Sequence, residues 1–306
     1  MAWQKLGLVF RPDRDIDWAE THATTPVAIQ LDSGLWRVFF ASRDVNQRSH
    51  VGWFDIDLDD PSSLKRVARA PLLAPGPVGN FDGNGVYATG IVRTGRDTLR
   101  LFTVGWNPGH RYPLFYAAIG SAESNDMGET IAWRTSAPVL DRSEYDPSAV
   151  TGPWVMYENG AYRMWYVSGL GWEETNGELK SRYHIKYASS ADGLAWNRSG
   201  QVAIDFAHAG ELNIARPCVV RGRAGYQTWF SYNEGDGYRI GYGRSVDGMK
   251  FKRVTRDAPV ISPSDAAFEN KAVCHPVVVE HKGKRFMFYN GNQFGIDGVA
   301  LAMEMP

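Results

Sequence analysis

The sequence predicts an all-β fold, a five-bladed β-propeller of four-stranded antiparallel blades. Three observations predict it. One phrase recurs five times: a Pro-led apolar run, an aromatic-rich strand, a second alternating strand, then a turn into a Trp- or Phe-bearing strand. The repeat starts lie roughly 60 residues apart, a long spacing for a propeller blade. The fifth repeat ends at Pro306 after its third strand, while Trp3–Phe10 has strand texture and no other repeat to join. The N-terminal strand is therefore expected to complete the last blade and close the ring, which removes a long exposed sheet edge.

The second strands give the clearest register: Arg37 to Arg43, Arg100 to Trp106, Arg163 to Gly169, Gln227 to Asn233 and Arg285 to Gly291. Third strands are expected at Val51 to Asp57, Tyr116 to Ser121, Tyr183 to Ser189, Tyr238 to Arg244 and Gly298 to Met303. Aromatic and β-branched residues at alternate positions, bounded by Gly, Asn and Asp, suit half-buried pleated strands. Outer strands are read at Leu194 to Arg198 and Met249 to Arg253. The turns before them, Ser190-Ala-Asp192-Gly193 and Ser245-Val-Asp247-Gly248, are read as structural hairpin turns. Trp36, Trp165 and Trp229, in or beside second strands, are assigned to packing between blades. The blades are bounded at roughly 18–79, 80–144, 145–208, 209–268, and 269–306 with 1–17, as a single domain over residues 1–306.

Composition narrows the partners. Net charge is −1 with scattered basic residues, so neither nucleic acid nor an anionic membrane is indicated. The first residues lack a signal-peptide pattern and no run approaches a membrane span, so the expected location is cytoplasmic. Cys218 and Cys274 are then expected as free buried thiols. Their spacing offers no metal site, and no cofactor is expected.

The inner strands of a propeller converge on the axis, and each is preceded by an acidic residue six or seven positions ahead of its early Pro or equivalent: Glu20, Asp82, Asp146, Glu211 and Glu269. Carboxylates gathered on one axis repel one another, so some must bind cations or hold raised pKa values, the condition for acid/base work. Asp82, Glu211 and Glu269 are the candidate catalytic carboxylates. The alternative is local capping and turn formation, for which Asp82 and Asp146 are better suited than the two Glu residues. Cationic and polar side chains at the same level are His22, Arg216, Lys271 and His275. Arg216 and His275, each directly before a Pro, are expected to bind an anionic group. Ion pairs that stitch the blades are the structural alternative. Arg43, Asp44, Trp106, Trp172, Asn290 and Asn292 complete a candidate substrate-binding rim, because ring faces with Asn and Asp suit sugars.

With this blade count, acidic lead-ins and Ser-x-Asp-Gly turns, the chain resembles the five-bladed propeller glycosidases: the arabinanase, levansucrase and invertase superfamily, related to the mannoside phosphorylases. The resemblance covers essentially the whole chain. It implies a first-blade Asp as base or nucleophile, a middle-blade Asp, and a later Glu as general acid. Glu20 or His22 falls at the first position, Asp82 or Asp146 at the second, and Glu211 at the third, where it would protonate the leaving oxygen. The chain departs from the pattern in blade 1, carrying Glu20-Thr-His-Ala-Thr-Thr-Pro26 in place of an Asp-Pro signature. The expectation is a glycoside hydrolase-like enzyme for a small-molecule or oligosaccharide ligand, an anionic one included. Phosphorolysis, transfer from an activated sugar, another biosynthetic activity and a non-catalytic carbohydrate-binding propeller are the alternatives.

Overall fold

The computed structural model describes residues 2–12, 16–32, 34–175, 177–254 and 260–305. Its first strand, β1 (Trp3–Phe10), pairs antiparallel with the last, so the ring closes as the sequence predicts. Blade 1 is β2 (Thr21–Gln30), β3 (Leu35–Arg43), β4 (Ser49–Asp57) and β5 (Leu64–Val67); blade 2 is β6 (Val86–Arg93), β7 (Leu99–Pro108), β8 (Phe115–Ser124) and β9 (Ala132–Trp133). Blade 3 is β10 (Val150–Glu158), β11 (Ala161–Thr175), β12 (Glu178–Ser190) and β13 (Asn197–Ile204). Blade 4 is β14 (Asn213–Gly222), β15 (Gly225–Asn233), β16 (Tyr238–Ser245) and β17 (Lys252–Arg253). Blade 5 is β18 (Cys274–His281), β19 (Lys284–Asn290) and β20 (Val299–Glu304), with β1 outermost. A single parallel contact, Tyr183 to Asn213, bridges blades 3 and 4.

The outer strand of blade 3 starts later than expected, at Asn197. Asp192 causes the shift: its carboxylate accepts the N–H groups of Leu194 and Ala195 at 2.8 and 2.9 Å, which holds those residues in a turn. The Ser-x-Asp-Gly turns carry a second duty. The carbonyls of Asp192 and Asp247 accept hydrogen bonds from Arg100 and Arg163, each at the start of the second strand of the preceding blade. Arg37 reaches the Met127 carbonyl in the corresponding turn of blade 2. In blades 1 to 3 the Arg that starts the second strand is thus a blade-to-blade fastener.

Aromatic rings fill the gaps between blades, as expected of twisted sheets packed radially. Trp165 and Trp229 are fully buried, and the Trp165 indole N–H donates to the Gly248 carbonyl of the next blade at 2.7 Å. At the closure, Phe10 of β1 stacks on Phe54 of blade 1 with centroids 4.5 Å apart. Cys218 and Cys274 are both free and buried. Among the described residues no helix is long and apolar enough to cross a membrane.

Candidate functional site at the axial mouth

Each inner strand begins at one face of the ring, and the antiparallel second strand ends there, so β2, β6, β10, β14 and β18 bring their first residues together with the ends of β3, β7, β11, β15 and β19. Backbone strain concentrates at this mouth and in the layer of the inner strands directly below it. Of the ten described non-glycine residues with positive φ, six are His22, Thr25, Arg216, His275, Gln293 and Phe294. Such conformations are costly and cluster at ligand sites. Gln293 and Phe294 lie in the short turn Asn292–Gly295, from which the half-exposed Phe294 ring stacks on His275 at 5.9 Å and 18° and meets Tyr238 edge-on.

The two imidazoles are held neutral. Burial, followed by the charge of Arg43, lowers the pKa of His22 to about 4. Burial, followed by the charge of Arg216, lowers that of His275 to about 3. Asn290 fixes the His275 ring by accepting from Nδ1 at 3.0 Å. An unfolded histidine titrates near 6.5. Between pH 6.5 and 4 the unfolded chain therefore binds more protons than the folded one, and stability falls as pH drops, by up to about 1.4 kcal/mol per pH unit for each imidazole. Urea midpoints measured from pH 7.5 to 5 are expected to decline, with a shallower slope in His275→Gln; a flat wild-type profile contradicts the assignment.

Arg43, at the end of β3, is partly exposed beside His22 and Tyr87, and its charge acts on both. Its side-chain partner is Gln47 Oε1 at 3.5 Å, with no carboxylate paired to it among the described residues. Tyr183 and Tyr238 join hydroxyl to hydroxyl on the facing blades. Tyr87, Tyr183, Tyr238 and Phe294 are site residues that the sequence does not single out. The first three read there only as strand residues, and Phe294 depends on a left-handed turn that no sequence pattern announces.

The lead-in carboxylates divide into two groups. In blades 3 to 5 they clip the lead-in loop to the rest of their own blade. Asp146 accepts from Tyr166 of the second strand at 3.2 Å and from Arg198 of the outer strand at 3.0 Å, with Lys186 at 3.7 Å. Both Glu211 oxygens meet Arg253 of the outer strand, at 2.8 and 2.6 Å, and one also accepts the Ala207 N–H. Glu269 takes Lys5 of β1 at 2.9 Å, the Ser264 hydroxyl and the Tyr289 hydroxyl. All three are buried. The arrangement favours the ion-pair alternative for them: each carboxyl oxygen has a partner within the fold.

Asp82 differs. Strand register explains why: Arg198 pairs with Ala188, Arg253 with Gly243 and Lys5 with Ala302, and the matching outer-strand residue of blade 2, opposite Ala122, is Trp133. Asp82 is thus 4% exposed with no cation paired to it and no partner for Oδ1 among the described residues, and burial raises its pKa. Two glycines seat it. A Cβ on Gly76 would overlap the carboxylate, and one on Gly105 would lie 2.7 Å from the Asp82 Cβ. In blade 1 the register slips by one: Ala19 closes the i−3 turn that Asp146, Glu211 and Glu269 close elsewhere, leaving Glu20 at the mouth, partly exposed and with no cation paired to it among the described residues.

The other expected rim residues are mostly engaged within the fold. Asp44 accepts from the Asn46 and Arg48 backbone, the Arg48 side chain and His50. Asn290 is fully buried and ties β19 to Thr25 and Ala23 of blade 1, while Asn292 secures Lys271, Ala272 and Ala267. Lys271 itself is exposed. Arg216 is 3% exposed and lies in the channel. Trp106, half-buried, donates to Ser49 Oγ of blade 1 at 2.6 Å. Trp172 sits on the long β11–β12 hairpin, edge-on to Phe115 at 5.6 Å, where a bidentate Arg111–Glu174 pair holds the hairpin to blade 2. Two surface grooves, of about 410 and 520 Å³, lie at the outer strands and are not lined by residues of the mouth. Among the described residues no group of three or more His, Cys, Asp or Glu could hold a metal ion.

No protein-family model matches the chain. Two Mycobacterium tuberculosis proteins, the uncharacterized proteins MT1551 (strain CDC 1551 / Oshkosh) and Rv1502 (strain ATCC 25618 / H37Rv), are each 36% identical to it over 304 residues, 99% of this chain and 99% of theirs. Among solved structures, a glycoside hydrolase superposes with a TM-score of 0.77 at 15% identity, covering 99% of this chain and 92% of that one. A glycosyl hydrolase from Bacteroides ovatus gives 0.68 at 15% identity, over 97% and 91%. The β-1,2-mannobiose phosphorylase from Listeria innocua, in complex with β-1,2-mannobiose, gives 0.70 at 13%, over 99% and 97%. The agreement is one of fold, and it bears out the propeller architecture expected from the sequence.

Proposed function

We propose a carbohydrate-active function for this chain, which belongs to the same family as the Mycobacterium tuberculosis proteins MT1551 and Rv1502. The reading is an enzyme that breaks or forms a glycosidic bond at the axial mouth. The observation that carries it is Asp82, the buried lead-in carboxyl without a cation, seated by glycines behind the rim. A carboxyl whose pKa is raised by burial holds its proton to a higher pH than a free one does and is suited to deliver it to a leaving oxygen. In the proposed step Asp82 protonates the glycosidic oxygen as the bond from the anomeric carbon breaks. Glu20 takes the proton of the attacking water. Phe294 and Trp106 offer ring faces to the sugar, and His22 and Tyr87 offer hydrogen-bonding groups.

Arg43 favours a second reading within the same chemistry. A guanidinium beside neutral imidazole, with no carboxylate of its own, suits a phosphate or an anionic sugar. Phosphate would then replace water, and its own oxygen would attack the anomeric carbon. The test is to incubate the purified chain with a panel of oligosaccharides, with and without inorganic phosphate, and to weigh the products. Free sugar supports hydrolysis, and sugar 1-phosphate formed only with phosphate supports phosphorolysis. Sugar binding without either product points to a carbohydrate-binding propeller and overturns the catalytic reading. Where phosphate is the acceptor, Arg43→Ala is expected to raise its KM about 10- to 100-fold, the loss of one charge-assisted contact. An unchanged KM removes Arg43 from the site.

A further inference from the structure

Below the mouth, the ladder of every inner strand breaks at the same level: between Thr24 and Val27, Ala88 and Gly90, Thr151 and Trp154, Ala215 and Cys218, and Cys274 and Val277. The residues released there, Thr25, Thr89, Gly152, Arg216 and His275, form a ring around the axis, one from each blade. All but Thr89 have positive φ. Gly152 suits a left-handed position, and the Arg216 side chain passes it, with Cδ 3.6 Å from where a Cβ would stand.

Arg216 crosses the channel. Its Nη1 donates to the Thr89 carbonyl of blade 2 at 2.8 Å and its Nη2 to the Pro26 carbonyl of blade 1 at 2.9 Å. Two carbonyls leave the guanidinium charge uncompensated, and no carboxylate pairs with it among the described residues. A buried charge without a counter-charge is costly. Three donors at this level have no partner among the described residues: Arg216 Nε–H, the hydroxyl of Thr89, whose carbonyl Arg216 meets, and the hydroxyl of Thr25, next to Pro26, on residues 3%, 1% and 8% exposed. The ring holds no acidic side chain. One excess positive charge, three free donors and enclosure describe a site for a small anion that needs no oriented acceptor.

We propose that the channel axis binds a resident monatomic anion of the halide class, held by Arg216 Nε–H and the hydroxyls of Thr25 and Thr89, which joins blades 1, 2 and 4. The site is separate from the substrate mouth and does not depend on the reaction there. Its occupant would stabilise the closed ring by mass action, because the unfolded chain has no such site.

The test is thermal unfolding of the full chain in sodium chloride, sodium bromide and sodium gluconate at equal ionic strength. A rise in Tm that grows with the logarithm of halide concentration, absent in gluconate, is expected. Thr25→Val/Thr89→Val is expected to lose that increment while Thr25→Ser/Thr89→Ser keeps it. Crystals grown in bromide are expected to show an anomalous peak between Arg216 Nε and the two Thr hydroxyls. Equal Tm values in all three salts, or bromide crystals without that peak, overturn the site. Stabilisation by phosphate but not by halide also overturns it, and moves Arg216 into the substrate site.

Discussion

Asp82→Asn is expected to lower turnover by about 10²- to 10⁴-fold, the contribution of a positioned proton donor, while leaving Tm unchanged or higher. The two effects part company because the native carboxyl is buried without a cation. Asn fills the same glycine-lined seat and carries no ionisable group, so folding loses nothing while the proton is gone. A gain in stability with a loss of activity is the signature of a residue held for chemistry. Measuring kcat and Tm on one preparation checks it. Retained turnover removes Asp82 from the mechanism; a large fall in Tm makes it a structural residue like its counterparts in blades 3 to 5.

Arg253→Leu is expected to have the largest effect on stability, about 3–5 kcal/mol, because it leaves Glu211 fully buried without its cation. The remaining contact, from the Ala207 N–H, does not compensate the charge. Adding Glu211→Leu to that variant is expected to restore most of the loss, since two apolar side chains replace a buried pair at little cost. Urea unfolding of the single and double variants measures both. A loss below about 1 kcal/mol in the single variant would assign the pair the small value of an exposed contact and overturn its role as a blade clip.

Much of the fold is legible in the sequence because it rests on local pattern. Alternating aromatic strands such as Arg163 to Gly169 declare their period directly, and the missing fifth outer strand points to β1 by elimination. The recurrence of lead-in acids is legible too, but their purpose is not. Asp146 meets a cation 52 residues on, Glu211 one 42 on and Glu269 one 264 back, so strand register alone decides which acids are neutralised. A single substitution in that register, Trp133 for a basic residue, is what frees Asp82. In blade 1 one residue of slip, Ala19 for an acid, sets Glu20 at the mouth. The residues before Pro stand out in the sequence at Arg216 and His275. Their left-handed backbone does not, because a following Pro ordinarily biases a residue toward extended conformations.

The role of Asp82 at the axial mouth is tested by a crystal structure of the Asp82→Asn chain with an oligosaccharide substrate bound. The expected result is a sugar ring at the axial mouth, stacked on Phe294 or Trp106, with its glycosidic oxygen within hydrogen-bond reach of residue 82 and Arg43 at its polar edge. A sugar seated instead in the groove at Phe206 and Lys250, or across the clipped carboxylates Glu211 and Glu269 with their cations displaced, would contradict it.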